Sequence, residues 1–250
     1  MSDDDTDAVS VLDRMTAIFE AFDENDRGLR ISELAARAGL PKSTVSRLVS
    51  TLVRQRYLER DGQLIHLGLR LFELGQLAEE PHGLRGAAMP VIADLRNTTG
   101  ESASLAIPDG REMVCIAAMR GRTSAGLTRI GGRVPVHATA LGKTILAFSE
   151  EIDVQPLLAS ALAARTPNTV VDPAVLRRQL ADIRRSGVGT DIEEFAVGAS
   201  SVASPVFAPS GRLLAALAVS GASDGFDLDR CARAVHAAAL ALTRRLATGE

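Results

Sequence analysis

Residues 31–62, ISELAARAGLPKSTVSRLVSTLVRQRYLERDG, decide the fold of the first part of the chain. Apolar residues recur at helical spacing on both sides of the tetrapeptide AGLP, which predicts two short helices joined by a tight turn. Gly39 suits that turn because glycine readily takes a left-handed conformation. Pro41 suits the first turn of the second helix, where its missing N–H has no partner to lose. The stretch therefore predicts a helix-turn-helix.

The residues on either side of this motif complete a small domain. Upstream, Leu12, Met15 and Phe19 recur at helical spacing and predict a first helix that ends at the polar run 23–28. Downstream, strand-like runs at residues 57–60 and 63–66 flank Asp-Gly, a strong signal for a two-residue hairpin. Together these features predict a winged helix-turn-helix domain over residues 1–66.

The second helix of the motif is predicted to turn a polar, cationic face to solvent when its apolar stripe faces the core. Arginine donates bidentately to guanine, short hydroxyls reach base edges or phosphates, and a helix N-terminus attracts phosphate. Residues 42–60 carry five basic side chains and one acidic one, a local charge of +4 in a chain whose net charge is -3. The predicted DNA contacts are Lys42, Ser43, Thr44, Ser46, Arg47, Ser50, Arg54 and, on the hairpin, Arg60.

An ordinary surface helix also carries serine, threonine and arginine, and helix-turn-helix mimics are frequent. The ordered succession of apolar stripe, AGLP turn, basic helix and Asp-Gly hairpin favours double-stranded DNA over that alternative.

Composition bounds the remaining possibilities. A chain of 250 residues with 46% hydrophobic residues fits two ordinary domains. The acidic start MSDDDTD lacks the features of a signal peptide, and no run of 18 apolar residues occurs, so we expect a cytoplasmic protein without a membrane partner. Cys115 and Cys231 are far apart and lack metal-ligand spacing, which predicts two small buried hydrophobes and neither a disulfide framework nor a metal site. No cofactor is expected.

Residues 67–80, LGLRLFELGQLAEE, are apolar around most of a helix circumference. This predicts a connecting helix buried against its own domains and against a second protomer, in a linker that covers residues 67–84. Beyond it, residues 85–250 carry two predicted hairpins, at 102–107 with 112–119 and at 201–207 with 213–220. Helices are predicted at 87–97, 140–148, 155–164, 173–186 and 228–248. Antiparallel hairpins interrupted by helices favour an α+β sheet over a doubly wound one.

The strings at residues 31–62 and 66–75 resemble the N-terminal domain of the IclR family of bacterial regulators. VPVHATALGKTILA at residues 134–147 and DIEEFAVGASSVASPVFAPSGRLLAALAVSG at residues 191–221 look like that family's two effector-domain signatures. The resemblance implies a two-domain α+β protein: a winged helix-turn-helix, a linker helix and a GAF/PAS-like antiparallel sheet with helices. It also implies a dimer or tetramer on a palindromic operator, with a small-molecule effector that often bears a carboxylate.

The same resemblance implies the residues of the effector site. Backbone amides near Ala140 and Leu141 would meet the ligand at a helix start, where unpaired N–H groups favour anions. Asp191, Ser201 and Ser220 would supply hydrogen bonds to a small acid or hydroxy acid. Many family members have cysteine in place of Ser201, so this site is expected to be more polar and its ligand class stays open.

Three further signals invite an enzymatic interpretation. Residues 141–144, LGKT, lack the glycine that a P-loop needs where His137 stands. A lone histidine before a helix is more often structural, and the adjacent Glu193 and Glu194 are expected to point to different faces and stay solvated. The sequence contains no recognisable motif that combines a nucleophile, a base and an orienting group, so no catalytic residue is assigned. The alternatives are an enzyme with an accessory winged helix and a winged helix for protein contacts, which would lack salt-dependent affinity for a duplex.

Overall fold

A computed structural model of the protein describes residues 10–23, 25–126, 128–149 and 154–248, without the side chains of residues 79–82 and 154. The chain forms two compact units, Met1–Glu79 and Glu80–Glu250.

The first unit contains the predicted helix-turn-helix around one apolar core, in which Ile18, Leu34 and Val49 are fully buried. Gly39 ends the second helix with a φ of 64°, in the left-handed region expected for this turn. Pro41 lies immediately before the third helix rather than inside its first turn. The elements are α1 (Val11–Glu20), β1 (Leu29–Arg30), α2 (Ile31–Ala38) and α3 (Lys42–Arg54).

The predicted hairpin follows as β2 (Leu58–Asp61) and β3 (Leu64–Leu67), displaced by one residue from its expected position. The turn is therefore Gly62-Gln63 and not Asp61-Gly62. Gly62 has a φ of 56° and stands at the first turn position, where both favoured hairpin turns require a positive φ. Strand β1 pairs with β3, which gives a three-stranded sheet in the order β1-β3-β2.

The prediction of a single helix over residues 67–80 is wrong. The chain forms α4 (Leu69–Gly75) and then α5 (Glu79–Thr99), which begins inside the linker predicted over residues 67–84 and continues beyond its end. Pro81 is tolerated there because the first N–H groups of a helix have no intrahelical acceptor. The expected burial of the predicted helix against its own domain is also wrong: α4 buries none of its residues in the first unit.

The second unit is built on the antiparallel sheet that the hairpin pattern predicted. Its strand order is β6-β5-β4-β9-β8-β7. The short strands β6 and β7 lie at the two edges, and the sequence pattern missed both because three or four residues carry no clear alternation. The strands are β4 (Ser102–Asp109), β5 (Glu112–Met119), β6 (Arg133–Pro135), β7 (Gly189–Ile192), β8 (Ala199–Phe207) and β9 (Leu213–Ala222).

Helices cover both faces of this sheet. One apolar cluster joins α5 and a long C-terminal helix to one face, and a second cluster joins three shorter helices to the other. The helix predicted at residues 155–164 ends early, because Ser160 turns its hydroxyl back to the Leu157 carbonyl at 2.8 Å. The remaining helices are α6 (Ala140–Phe148), α7 (Val154–Ala159), α8 (Pro173–Ser186) and α9 (Leu228–Thr248).

Both cysteines are buried, as expected, and burial raises the pKa of the Cys115 thiol to about 11. Within the described residues, no helix combines the length and the apolar character that a membrane crossing requires. Nor do the described histidine, cysteine, aspartate and glutamate side chains gather in any group of three suited to a metal ion.

Candidate functional site

Helix α3 presents the polar face predicted for it. Its apolar side, with Val45, Val49 and Leu52, is buried in the first unit. The opposite side is exposed along its length, while Thr44 and Ser46 are half-buried at its margin. We call the exposed residues of α3 the reading face; they are Lys42, Ser43, Arg47, Ser50 and Arg54.

The N-terminus of α3 is open to an anion. Pro41 provides no side-chain cap, and the first turn of the helix contains no acidic residue. The first amides of a helix have no intrahelical acceptor, so here they are available to a phosphate group. Further along the helix, the Ser50 hydroxyl donates to the Ser46 carbonyl at 2.8 Å, which leaves Ser50 as an acceptor on this face.

The hairpin places Arg60 and Gln63 in solvent. Arg60 lies on β2, one residue before the strand ends, and Gln63 lies in the turn. Both side chains are therefore accessible to a nucleic-acid backbone beside the reading face.

In the second unit the three predicted side-chain ligands fall into one row across the sheet. Asp191 on β7 pairs with Ser201 on β8, and Ser201 pairs with Ser220 on β9. Directly paired residues of antiparallel strands share a face, so these side chains are neighbours. The row continues to Ser102 on β4, which pairs with Ser220 and which the sequence analysis missed because it depends on strand register.

A second row, of small residues, lets helix α6 approach the same face of the sheet. Gly189, Ala203 and Ala218 occupy paired positions on β7, β8 and β9. A Cβ added at Gly189 would lie 2.4 Å from Thr144 Oγ1 and 2.9 Å from the Ala140 carbonyl oxygen. The start of α6 and the start of β7 therefore meet, which brings Ala140 and Asp191 into one corner of the unit.

The start of α6 is a capped helix end with two donors left over. Thr139 is the N-cap residue: its hydroxyl accepts from the Gly142 amide at 3.0 Å, and its carbonyl accepts from the Lys143 amide at 2.9 Å. The amides of Ala140 and Leu141 have no acceptor within the helix. They are the donors that the resemblance assigned to an anionic ligand.

Asp191 holds its two carboxylate oxygens in different surroundings. Oδ1 accepts from the amides of Glu194 and Phe195 at 2.7 and 3.3 Å, whereas among the described residues Oδ2 accepts only from the Ser201 hydroxyl at 3.4 Å. Burial raises the pKa of this carboxyl to about 6, against the opposing effect of the two amides and of the Lys143 charge. Oδ2 is therefore the atom with hydrogen-bonding capacity to spare.

A buried ion pair lies beside Asp191. Lys143 Nζ donates to Glu194 Oε1 at 2.5 Å and to Gln179 Oε1 at 3.3 Å, and the lysine side chain is only 1% exposed. The expectation that Glu194 stays solvated is wrong, because the positive φ of Glu193, 57°, turns the following residue inward. The apolar neighbours Ile145 and Leu146 were the sequence signal that Lys143 lies on a buried helix.

Two other residues near the site have structural positions. His137 is buried and its Nε2 lies 3.0 Å from the Ala163 carbonyl oxygen, which fits the structural role expected for it. The row formed by Asp191, Ser201, Ser220 and Ser102 is called the serine row below. Gly126, in the segment between β5 and β6, passes over it: a Cβ added there would lie 3.3 Å from Ser220 Cβ. This segment limits the space above Ser220.

Two family models match the chain. Residues 11–62 match the IclR helix-turn-helix domain, and residues 77–244 match the C-terminal domain of the bacterial transcriptional regulator IclR.

Curated relatives and a solved structure agree with these matches. The HTH-type transcriptional regulator XynR of Escherichia coli K12 is 33% identical over 245 residues, 95% of this chain and 97% of that protein. The HTH-type transcriptional repressor AllR of the same strain is 30% identical over 88% of this chain and 82% of its own length. The crystal structure of an IclR homolog complexed with 4-hydroxybenzoate, from Microbacterium hydrocarbonoxydans, has a TM-score of 0.89 at 28% identity and covers 96% of this chain and all 100% of that chain.

Proposed function

Because the chain belongs to the IclR family of bacterial transcriptional regulators, we propose that it binds a palindromic operator as a dimer or tetramer and responds to a small organic acid. The protein is a DNA-binding regulator with an effector-binding C-terminal domain, and its named relatives are regulators rather than enzymes. The observation that carries the operator proposal is the reading face, an exposed cationic surface on the second helix of a helix-turn-helix.

Each copy of the protein provides one reading face, and a palindrome offers two equivalent half-sites. Helix α4 supplies a surface on which two copies can meet, because Leu69, Phe72 and Leu74 are 54%, 63% and 45% exposed. Burial of these apolar side chains between two symmetric copies would stabilise the dimer. This supports a dimer as the unit that binds the operator.

The effector site offers complementary groups at two ends. The amides of Ala140 and Leu141 favour a carboxylate. At the other end, Asp191 Oδ2 can accept from a ligand hydroxyl, and the hydroxyls of Ser201 and Ser220 can donate to a hydroxyl or carbonyl oxygen. We therefore assign a small hydroxy acid to this site, with its carboxylate at the start of α6. The solved relative is complexed with 4-hydroxybenzoate, which has both groups and is a suitable first probe.

The DNA proposal is tested by fluorescence anisotropy of the full-length protein with duplexes that flank its own gene, in rising salt. We expect binding to one duplex at least about a hundredfold tighter than to a scrambled control, with an affinity that falls steeply as salt rises. Equal affinity for both duplexes, in a folded sample, would contradict the proposal and favour a protein-contact role for the winged helix.

The effector proposal is tested on the same complex with 4-hydroxybenzoate and with benzoate as the matched control. Loss of the hydroxyl removes the contact with Asp191 and the serines, so benzoate is expected to bind about tenfold more weakly. Indifference of the protein to both acids would contradict this ligand class and leave the DNA proposal intact.

A further inference from the structure

Helix α4 stays on the first unit through polar contacts and not through a hydrophobic core. None of its residues is buried, and Leu69 and Phe72 turn more than half of their surface to solvent. A seven-residue helix is not stable by itself in water. The contacts that hold α4 therefore decide its direction.

The first of these contacts lies at the start of α4. Glu59 Oε1, on strand β2 of the hairpin, accepts from the Leu69 amide at 3.2 Å and so caps the start of α4. The preceding Gly68 donates to the Tyr57 carbonyl at 2.8 Å. A Cβ added at Gly68 would lie 2.2 Å from the Arg56 carbonyl oxygen, so the two backbones are in direct contact.

The second contact joins α4 to the end of α3. Arg70 Nη1 donates to the carbonyl of Gln55, the C-cap residue of α3, at 3.2 Å. The same guanidinium lies 4.9 Å from the centre of the Tyr57 ring, which in turn meets the Phe19 ring of α1 edge-on at 6.5 Å. A cation that bonds the last carbonyls of a helix and stacks on an aromatic ring is held in direction as well as position.

A third contact is weaker. Arg56 Nη2 and Glu73 Oε1 lie 3.6 Å apart, and both side chains are more than half exposed. Exposed ion pairs of this length contribute little to stability. Glu73 is therefore a control position on the same helix.

We propose that Glu59 and Arg70 are positioning residues that fix the direction of α4 relative to the reading face, and thereby set the spacing between half-sites that the dimer accepts. This rests on the proposed function, in which two copies meet through α4. One base pair advances about 3.4 Å along the duplex, so a displacement of α3 by that distance changes the preferred spacing by one base pair. Neither residue needs to touch DNA for this effect.

The test uses the full-length protein and a series of duplexes with identical half-sites, whose central spacing is varied from one base pair fewer to two base pairs more than the natural operator. The wild type is expected to bind its preferred spacing about tenfold more tightly than the adjacent ones. Arg70→Met and Glu59→Ala are expected to reduce that preference to about threefold or less while affinity for a single half-site stays within about twofold. Both side chains are exposed, so we expect unchanged thermal melting.

Two control variants separate the effect of the Glu59 and Arg70 contacts from general effects of charge. Glu59→Gln keeps an oxygen that accepts from the Leu69 amide, and Glu73→Gln removes only the exposed ion pair. Both are expected to keep the wild-type spacing preference. An unchanged preference in Arg70→Met and Glu59→Ala would overturn the proposal, whereas failure of the wild type to select any operator would count against the proposed function instead.

A measurement without DNA gives a second test. Both natural cysteines are buried, so a nitroxide label is directed to a single introduced thiol in Ser43→Cys, at the start of α3. Pulsed electron paramagnetic resonance then measures the distance between the two labels of a dimer. A narrow distribution that broadens when Arg70→Met is added supports the proposal. Identical distributions with and without Arg70→Met, or the absence of any distance between copies, would overturn it.

Discussion

At the scale of single residues, Asp191 shows how burial and hydrogen bonding compete. Two backbone amides bond Oδ1 and favour the ionised form, but desolvation outweighs them and raises the pKa of the carboxyl to about 6. The native state therefore binds this proton more tightly than the unfolded state, in which the pKa of aspartate is near 3.8. Folding stability must fall as pH rises between these two values.

This linkage gives a prediction for Asp191→Asn. The amide keeps an oxygen for the two backbone donors and does not ionise, so the variant lacks the penalty that the wild type acquires above pH 4. We expect the free energy of unfolding of the variant, relative to the wild type, to rise by about 2 kcal/mol between pH 4.5 and pH 7. Urea unfolding at the two pH values measures it. A difference that does not change with pH would show that Asp191 titrates normally.

At the scale of elements, the buried Lys143–Glu194 pair ties α6 to the segment after β7. Lys143 is 1% exposed and Glu194 Oε2 has no hydrogen-bond partner among the described residues. Removing one member of such a pair leaves an uncompensated charge in the interior, whereas removing both need not be destabilising. Removing one member of the pair is therefore expected to cost more stability than removing both.

Lys143→Met is therefore expected to lower the free energy of unfolding by about 3–5 kcal/mol at pH 7, and the double variant with Glu194→Gln to recover most of that loss. The exposed pair Arg185–Asp182 on α8 provides the matched control, and Arg185→Met is expected to change stability by less than about 0.5 kcal/mol. Chemical denaturation measures all three. A single variant as stable as the wild type would show that Glu194 finds water or another partner.

At the scale of the whole molecule, DNA contact and effector contact are assigned to different units with separate cores. The reading face rests on the core of the first unit, and the serine row rests on the sheet of the second. A substitution that removes one exposed or hydrogen-bonding group should therefore affect one function and leave the other intact.

Arg47→Ala and Ser220→Ala test this separation together. We expect Arg47→Ala to weaken specific DNA binding by about 1–3 kcal/mol per half-site without changing affinity for 4-hydroxybenzoate. We expect Ser220→Ala to weaken 4-hydroxybenzoate binding about 3- to 10-fold without changing DNA binding in the absence of ligand. Anisotropy and calorimetry measure the two affinities, and Arg178→Ala, an exposed arginine on α8, is the charge control. Loss of both functions in either variant would contradict the separation.

Features that depend on local periodicity and turn chemistry could be predicted from the amino-acid sequence. The AGLP turn with Gly39, the stripe that turns Arg47 outward, and the full extents of α6, α8 and α9 all follow from residues within one or two turns of one another. The resemblance to the IclR family added the effector-binding role of the second domain, and the family model of that domain matches residues 77–244.

Other features depend on contacts between residues that are far apart in the sequence, and local patterns do not specify them. Strand register placed Ser102 beside Ser220, and the packing of α6 on β7 buried Lys143 against Glu194, 51 positions away. The break between α4 and α5 was not predicted from the sequence. The hydrogen bond from Arg70 to the Gln55 carbonyl was not predicted either, because it joins two different elements of the fold. Local patterns specify which side of a helix is apolar, but only the assembled chain determines what lies against it.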